Sequence, residues 1–235
     1  MKVTVMLAVA ALALLPALLI AQDEKKTKEA DAQSDAQQAA DGASAPKADA
    51  EGFFTLFNGK NLDGWKANER PEGFKVEDGK IVVNGERGHL FYVGPVNNGQ
   101  FKDFHFKAQV MCFPNSNSGI YFHTKPQPEG WPSQGFEAQV NNTYKKDPKK
   151  TGGLYGIKDV MDKATVKDNE WFDYDIIVKG NHITIKINGE TTAEWTQPED
   201  YKGSGGRRIG TGTFALQAHD PESKVMFRNI RVKPL

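Results

Sequence analysis

The chain has 235 residues, and its 30 lysines and arginines balance 30 aspartates and glutamates. This neutral charge argues against a nucleic-acid-binding protein that relies on a basic surface. The single cysteine, Cys112, excludes an intramolecular disulfide, and its position in an apolar alternating run predicts a buried, unreactive thiol.

The first 21 residues have the pattern of a secretory signal peptide. Lys2 precedes the apolar run LAVAALALLPALLIA, which ends in small residues before Gln22. A single membrane anchor is the alternative, although the run is short for a span and Pro16 interrupts it. We therefore expect a protein exported to the periplasm or the medium, with no stable membrane insertion after cleavage.

Residues 22–51 contain no aromatic residue and no valine, isoleucine or leucine. Such a segment cannot bury enough apolar surface to offset the entropy lost on ordering. It is predicted to be a flexible, mildly acidic tether, which leaves residues 52–235 as one domain.

Short apolar runs separated by turn residues fill residues 52–235. Asp78-Gly79 and Asn188-Gly189 have the composition of tight hairpin turns. The run FKDFHFKAQVMCF predicts a long strand, and no segment shows a sustained 3.6-residue apolar period. The pattern predicts an all-β fold, a two-sheet antiparallel sandwich. The long strand has five residues on one face: Phe104, Phe106, Ala108, Val110 and Cys112.

Three of the predicted strands pair an apolar face with an unusual polar face. Side chains alternate along a strand with period two, so each strand contributes every second residue to the polar side. These residues are Gly119, Tyr121 and His123 from the first strand, Glu137, Gln139 and Asn141 from the second, and Gln217 and His219 from the third.

This face has two interpretations. It could be the ordinary solvated face of a sandwich, but it is poor in lysine and rich in groups that both donate and accept hydrogen bonds. Gly119 and Gly135 would leave space for a ligand to approach the backbone. We favour a concave binding surface.

A sugar suits such a surface, because its hydroxyl groups need amide and carboxylate partners and its apolar face stacks on aromatic rings. Trp131, in the proline-rich loop KPQPEGWPSQG, is a candidate platform. The alternative is a loop tryptophan packed against the edge of the sandwich. Tyr155 and Tyr144 are weaker candidates for sugar contacts.

Eight segments occur in order through residues 52–235: GFFTLFNGKNLDGW, FKDFHFKAQV, NSNSGIYFHT, GFEAQVNNT, KKTGGLYG, NEWFDYDIIVKGNHITIKING, FALQAHD and FRNIRVKPL. Together they resemble the bacterial 3-keto-disaccharide hydrolase domain family, formerly a domain of unknown function. The resemblance implies a concanavalin A-like jelly roll and cleavage of glycosides whose sugar ring has been oxidised at C3.

The implied chemistry has a physical rationale. A C3 ketone acidifies the C2 proton, so a base can remove it, and the resulting enolate expels the C1 substituent before water adds. This route needs a general base and a group that stabilises the enolate oxygen, and an acid can assist the leaving group.

The resemblance suggests roles for the residues of the polar face. Glu137 or His219 would be the base, and the other would assist the enolate or the leaving group. Asp220 either orients His219 or opens a turn. No cofactor is certain, but His123, Glu137 and His219 could converge on a divalent metal. The candidate sugar-binding residues are Tyr121, His123, Trp131, Gln139, Asn141, Tyr155 and Gln217.

Two other functions are compatible with the sequence. A jelly-roll domain can be a non-catalytic, lectin-like carbohydrate-binding module, and it can be an interaction domain held away from a membrane by the tether, because the fold alone does not determine function.

Overall fold

The computed structural model describes residues 46–203 and 205–235. The predicted signal peptide and residues 22–45 of the predicted tether lie outside the described residues. Asp49 closes a turn at the start of the domain, because its Oδ1 accepts hydrogen bonds from the backbone N–H groups of Glu51 and Phe53. Its Oδ2 accepts one from Arg231 at 3.1 Å, which attaches this turn to the C-terminal segment.

The described residues form strands and two short 3₁₀ helices, at Pro71–Gly73 and Val96–Gly99, and none of them forms a helix that could cross a membrane. The strands are β1 (Phe54–Thr55), β2 (Trp65–Ala67), β3 (Phe74–Glu77), β4 (Lys80–Asn84), β5 (Gly88–Tyr92), β6 (Phe104–Cys112), β7 (Ser118–Thr124), β8 (Phe136–Val140), β9 (Lys149–Leu154), β10 (Lys158–Met161), β11 (Phe172–Lys179), β12 (His182–Ile187), β13 (Glu190–Thr196), β14 (Thr213–Ala218) and β15 (Lys224–Pro234).

The strands make two antiparallel sheets. The first has the order β13-β12-β11-β6-β15-β4-β3, with β1 also paired to β15, and the second has the order β10-β9-β8-β7-β14-β5-β2. Strands distant in sequence are neighbours, since β14 lies between β7 and β5. The predicted two-sheet antiparallel sandwich is confirmed, and the crossing connections are those of a jelly roll.

The hairpin turns form where the sequence predicts them. Asp78 and Gly79, between β3 and β4, have φ values of 44° and 75°, and Asn188 and Gly189, between β12 and β13, have values of 49° and 82°. Positive φ at both central residues matches the right-handed twist of the flanking strands.

The core lies between the sheets and is rich in phenylalanine. β6 alternates between buried and half-buried residues along its whole length, as predicted. On the second sheet, Phe122, Phe136 and Phe214 point into the same core. Cys112 is also in this core, and burial raises the pKa of its thiol to about 12, which agrees with the predicted unreactive cysteine.

One irregularity interrupts β7. Ala215 pairs with Tyr121 and Thr213 pairs with Thr124, so β7 advances three residues where β14 advances two. The extra residue makes a β-bulge, in which His123 adopts a φ of 53°. Gly135 accommodates the bulge, because a Cβ at this position would collide with the carbonyl oxygen of Phe122.

We expect Gly135→Ala to lower the free energy of unfolding by about 3 kcal/mol, from the left-handed backbone and the collision together. Gly180→Ala is the matched control, because Gly180 also has a positive φ but no atom lies within 4 Å of the place that a Cβ would occupy. That control should lose about 1 kcal/mol. Urea unfolding of both variants measures the difference, and equal losses would contradict the steric argument.

Candidate functional site

A pocket of about 330 Å³ lies on the face of the second sheet that is turned away from the core, a size within the range of small-ligand sites. The floor of the pocket consists of every second residue of the strands in this sheet. The residues between them point into the core of the sandwich. Its lining residues are Asn117, Tyr121, Trp131, Pro132, Gly135, Glu137, Gln139, Asp147, Tyr155, Gly205, Arg207, Gln217 and His219.

The strand register arranges this face in two rows of side chains. Residues paired across β5, β14, β7 and β8 lie side by side, because all of these strands are antiparallel neighbours. The first row contains Phe91, Ala215, Tyr121 and Glu137, and the second row contains His89, Gln217, Gly119 and Gln139.

Glu137 is a buried carboxyl group in the pocket, with 8% of its surface exposed. Tyr121 donates a hydrogen bond from its hydroxyl to Oε2 at 2.8 Å, and Gln217 donates one from Nε2 to Oε1 at 3.1 Å. Gly119 provides the space, because a Cβ there would collide with the carboxyl group. The space that Gly119 leaves is therefore filled by Glu137, whereas the sequence predicted that a ligand would use it.

Burial raises the pKa of Glu137 to about 7 from its ordinary value of 4.5. The hydrogen bonds from Tyr121 and Gln217 and the positive charge of Arg207 act in the opposite direction but do not cancel the loss of hydration. A carboxyl group with this pKa exchanges protons near neutral pH.

His219 lies just beyond β14 and is oriented by its neighbour. Its Nδ1 is 2.8 Å from Oδ2 of Asp220, while Oδ1 of Asp220 accepts the backbone N–H groups of Glu222 and Ser223. Asp220 therefore does both of the things that the sequence left open: it orients the imidazole and closes a turn. With Nδ1 engaged, Nε2 is the nitrogen available to a ligand.

Trp131 forms one rim of the pocket with 46% of its surface exposed. Its ring lies 5.6 Å from that of His219 and 5.7 Å from that of His89. Gln127 holds the loop, since its Nε2 donates to the carbonyl of Trp131 and its Oε1 accepts the N–H of Ser133. The tryptophan is therefore a pocket residue with an accessible ring.

Tyr155 and Asp147 form the opposite end of the pocket. The Tyr155 hydroxyl donates to Oδ2 of Asp147 at 3.1 Å, and Lys149 Nζ lies 3.8 Å from the centre of the tyrosine ring. Gln139 lies nearby, where its Nε2 makes long hydrogen bonds to Asn117 Oδ1 at 3.4 Å and Lys149 O at 3.5 Å. This end of the pocket is polar and charged, whereas the Trp131 end is aromatic.

The prediction that His123 faces the pocket is wrong. The β-bulge breaks the alternation, so the imidazole is buried against Phe104, with ring centres 5.5 Å apart, and its Nε2 bonds the carbonyl of Lys102 at 2.8 Å. The sequence also predicted that Gly135 opens the face for a ligand. Gly135 does border the pocket, but the lack of a Cβ serves to accommodate the bulge.

Asn141 is also absent from the pocket lining, contrary to the prediction. Its Nδ2 donates to the carbonyls of Asp147 and Lys149, and its Oδ1 accepts the N–H of Tyr144 and a hydrogen bond from Lys150. All of its hydrogen-bonding capacity serves the loop that follows β8. It supports the site indirectly, because that loop carries Asp147.

Sequence reasoning missed Asn117, Asp147 and Arg207. Asp147 and Arg207 come from irregular segments, where strand alternation gives no information and charged residues are ordinary. Arg207 lies beside Gly156, where a Cβ would be in ordinary contact with its guanidinium carbon at 3.7 Å. Arg207 makes no salt bridge with any residue in 46–203 or 205–235. The glycines at 203, 205 and 206 were the available signal for a loop that approaches the sheet closely.

The predicted metal ligands do not converge, because His123 is turned into the core. Among the described residues, no group of three or more histidine, cysteine, aspartate or glutamate side chains is arranged to hold a metal ion.

Comparison with known proteins explains the resemblance of the sequence segments. A family profile described as the 3-keto-alpha-glucoside-1,2-lyase-like domain matches residues 52–233. The chain belongs to this family. The match spans nearly all of the predicted domain and includes every strand that contributes to the pocket.

Two relatives resemble this member of the family over most of its length. The 3-keto-disaccharide hydrolase of Bacteroides thetaiotaomicron is 24% identical over 239 aligned positions, which cover 80% of each chain. A crystal structure from Parabacteroides distasonis ATCC 8503, provisionally described as a glycosyl hydrolase, is 27% identical with a TM-score of 0.67. It covers 79% of this chain and 95% of that one.

A more distant structure shares the fold alone. The carbohydrate-binding module CBM66 of Bacillus subtilis is 11% identical, with a TM-score of 0.52, and covers 72% of this chain and 95% of that one. This member of the 3-keto-alpha-glucoside-1,2-lyase-like family thus has the same β-sandwich fold as a carbohydrate-binding module.

The buried carboxyl of Glu137 predicts a pH-dependent stability. Its folded pKa of about 7 exceeds the ordinary value of 4.5, so the folded state holds the proton more tightly. The stability from this group is complete below pH 4.5 and is lost as the pH rises through 7. Glu137→Gln does not titrate, so wild type should lose stability relative to E137Q, by on the order of 3 kcal/mol, between pH 4.5 and 8.

Urea unfolding of the two proteins across this range measures the change. Other titrating groups are common to both proteins and cancel in the difference. Parallel stability curves would show that the carboxyl is ionised at a normal pKa.

Proposed function

We propose that the protein cleaves the glycosidic bond of 3-keto-glycosides by abstracting the C2 proton, eliminating the C1 substituent and hydrating the product. The observation that carries this proposal is the Glu137 carboxyl, a single buried group with a pKa of about 7 in the pocket of a chain of this family. The relative named as a 3-keto-disaccharide hydrolase supports the same substrate class.

The proposed reaction proceeds in three balanced steps. The base removes the C2 proton, and the C2–H electron pair becomes the enolate of the C3 carbonyl. The enolate then forms the C1–C2 double bond while the C1–O bond breaks, and the departing oxygen takes a proton. Finally, water adds at C1 and a proton returns to C2, so the sum is hydrolysis without an external oxidant or reductant.

Glu137 is the proposed base. A base is most effective when its pKa lies near the operating pH, and burial brings the pKa of Glu137 to about 7. The donors Tyr121 and Gln217 hold both carboxylate oxygens, which limits the rotation of the group. The raised pKa therefore provides basicity, and the two hydrogen bonds provide orientation.

His219 is the proposed acid for the leaving group. Asp220 engages Nδ1 at 2.8 Å, so a proton on Nε2 can be donated into the pocket. The same imidazole can accept a proton from water during hydration. The sequence left two roles open for His219, the base or the group that assists the enolate or the leaving group, and we assign it the second.

Arg207 is proposed to stabilise the enolate oxygen. Its guanidinium lies at the pocket rim beside Gly156, and its charge acts on both Glu137 and Tyr121. A cation near the C3 oxygen would stabilise the charge that develops when the C2 proton leaves.

The sugar itself would be held by the remaining lining residues. Gln139 and Gln217 have amide groups suited to hydroxyls, and Tyr121 and Tyr155 have hydroxyls of their own. Trp131 supplies an exposed aromatic face for the pyranose ring. Export of the protein, inferred from residues 1–21, would place this activity in the periplasm or the medium.

Asp147 supports a second mechanism. It gives the pocket a second carboxyl group besides Glu137, and two carboxyl groups are what an ordinary glycosidase uses. In that mechanism the C2 hydrogen is never removed, so its fate distinguishes the two routes.

The proposal predicts release of sugar from 3-keto-glycosides and none from the unoxidised glycosides. Glu137→Gln should lower kcat by roughly 10²–10⁴-fold, because the base is lost, and should retain binding. In D₂O, elimination and hydration should place one deuterium at C2 of the product. Sugar release by chromatography and C2 labelling by NMR are the measurements.

Free 3-keto-glucose kept in D₂O without enzyme is the control for spontaneous exchange. Turnover without C2 label would replace elimination with direct displacement. Sugar binding without turnover of any 3-keto-glycoside would identify the lectin-like alternative.

The role of Arg207 has a matched control in the neighbouring, exposed Arg208. Arg207→Gln should lower kcat by roughly 10²-fold, since one stabilising charge at the developing oxyanion is lost, whereas Arg208→Gln should leave kcat within twofold. Steady-state kinetics on a 3-keto-glucoside test both variants. Equal effects of the two substitutions would remove Arg207 from the mechanism.

A further inference from the structure

His89 lacks the hydrogen bonds that a buried histidine normally makes. The residue has 0% of its surface exposed, and neither ring nitrogen has a partner among the residues that the structure describes. Its ring is enclosed by aromatic neighbours, with centres 5.2 Å from Tyr121 and 5.7 Å from Trp131. Leaving buried polar atoms unpaired is unfavourable for folding, so this histidine calls for an explanation other than stability.

Three residues in the second row of the pocket face, His89, Gln217 and Gln139, have buried polar atoms without a hydrogen-bond partner in the described part of the chain. Gln217 pairs directly with His89 across β14 and β5, and its Oε1 has no hydrogen-bond partner within the described part of the chain. The Oε1 of Gln139, in the same row, is in the same state. Unpaired polar atoms therefore extend along one row from the pocket floor to a position beneath Trp131.

Trp131 is the exposed rim residue whose ring contacts His89, with ring centres 5.7 Å apart. The main chain of this residue is held through its carbonyl by Gln127 at 2.9 Å, whereas the indole is 46% exposed. Turning the indole aside would break its contacts with His89, His219 and the Arg87 guanidinium. It would leave the loop hydrogen bond from Gln127 to the carbonyl of Trp131 intact.

We propose that His89 forms a second sugar subsite of the pocket, reached when the Trp131 side chain turns aside, and that its ring nitrogens bind hydroxyl groups of the leaving sugar of a disaccharide. This proposal rests on the proposed function and assigns the second ring of its substrate.

The chemistry of the ring suits a sugar hydroxyl. Burial lowers the pKa of His89 to about 4, so the ring is neutral at physiological pH and presents one N–H donor and one acceptor. A hydroxyl group also donates and accepts, and adjacent hydroxyls of a pyranose can use both nitrogens. A charged or purely apolar ligand would not satisfy both atoms.

The position of His89 fits the second ring of a disaccharide. Three strand spacings, about 14 Å between backbones, separate β8, which carries Glu137, from β5, which carries His89. The side chains come closer, because the Tyr121 hydroxyl lies 2.8 Å from Glu137 and the Tyr121 ring centre lies 5.2 Å from that of His89. A sugar ring bound beside Glu137 would lie over β8 and β7, and a second ring that extends past Gln217 would lie over β5. The effect of His89 should therefore depend on substrate length.

The test compares a 3-keto-disaccharide, 3-ketomaltose oxidised on its non-reducing ring, with methyl 3-keto-α-glucoside. His89→Phe should raise KM for the disaccharide roughly tenfold, through loss of hydrogen bonds, and leave KM for the methyl glucoside within twofold. The melting temperature should stay the same or rise, because H89F removes two unpaired polar atoms and keeps the ring.

His105→Phe is the control, because this histidine lies on the other sheet with Nε2 bonded to Asp175 at 2.6 Å. It should lower the melting temperature and leave both KM values unchanged. An unchanged disaccharide KM in H89F, or an equal rise for both substrates, would overturn the subsite.

A second measurement keeps this inference separate from the proposed function. The ring ¹⁵N shifts of wild-type His89, assigned by their loss in H89F, should move on addition of unoxidised maltose but not of methyl α-glucoside. This readout needs no turnover. Absence of turnover with a maltose-dependent shift would sink the proposed reaction and keep the subsite, while an unmoved His89 signal would sink the subsite.

Discussion

The site depends on one buried interaction, the carboxyl of Glu137 held between Tyr121 and Gln217. The three residues come from β8, β7 and β14, so their contact exists only while the register of three neighbouring strands is maintained. A slip of any one of these strands by one residue would turn its own side chain into the core and break the contact. The phenylalanines packed beneath the sheet maintain the register, and the fold thereby determines the protonation behaviour of one carboxyl group.

The two faces of the second sheet differ in polarity and in how well their side chains are satisfied. Its inner face is apolar and densely packed, with Phe122, Phe136 and Phe214 fully buried. Its outer face keeps polar atoms out of water without giving all of them partners, as for His89 and Gln139. Such atoms weaken a fold, and the large aromatic core offsets them. A face organised for stability alone would satisfy or replace these groups, so its present composition is explained better by a ligand.

Strand alternation predicts the fold and part of the site, and its failures have identifiable causes. Glu137, Gln217 and His219 meet in one pocket because their strands are regular, which period-two reasoning captures. His123 departs from the pattern because one extra residue in β7 reverses its side, and a bulge has no periodic signature. Asn141 lies just beyond β8, where loop hydrogen bonds determine its orientation. Arg207 belongs to a loop whose path depends on tertiary contacts.

The two ends of the pocket suggest how a substrate would be oriented. In the proposed reaction, negative charge develops on the ring that loses its C2 proton, so we place this ring beside Glu137 and Arg207. The leaving oxygen would then face His219, just beyond β14, because this imidazole is the proposed acid. Whatever is attached to that oxygen must continue over β5, where Trp131 provides an apolar face and His89 provides polar atoms. The proposed reaction and the proposed subsite together thus give the sugar chain one direction across the strands.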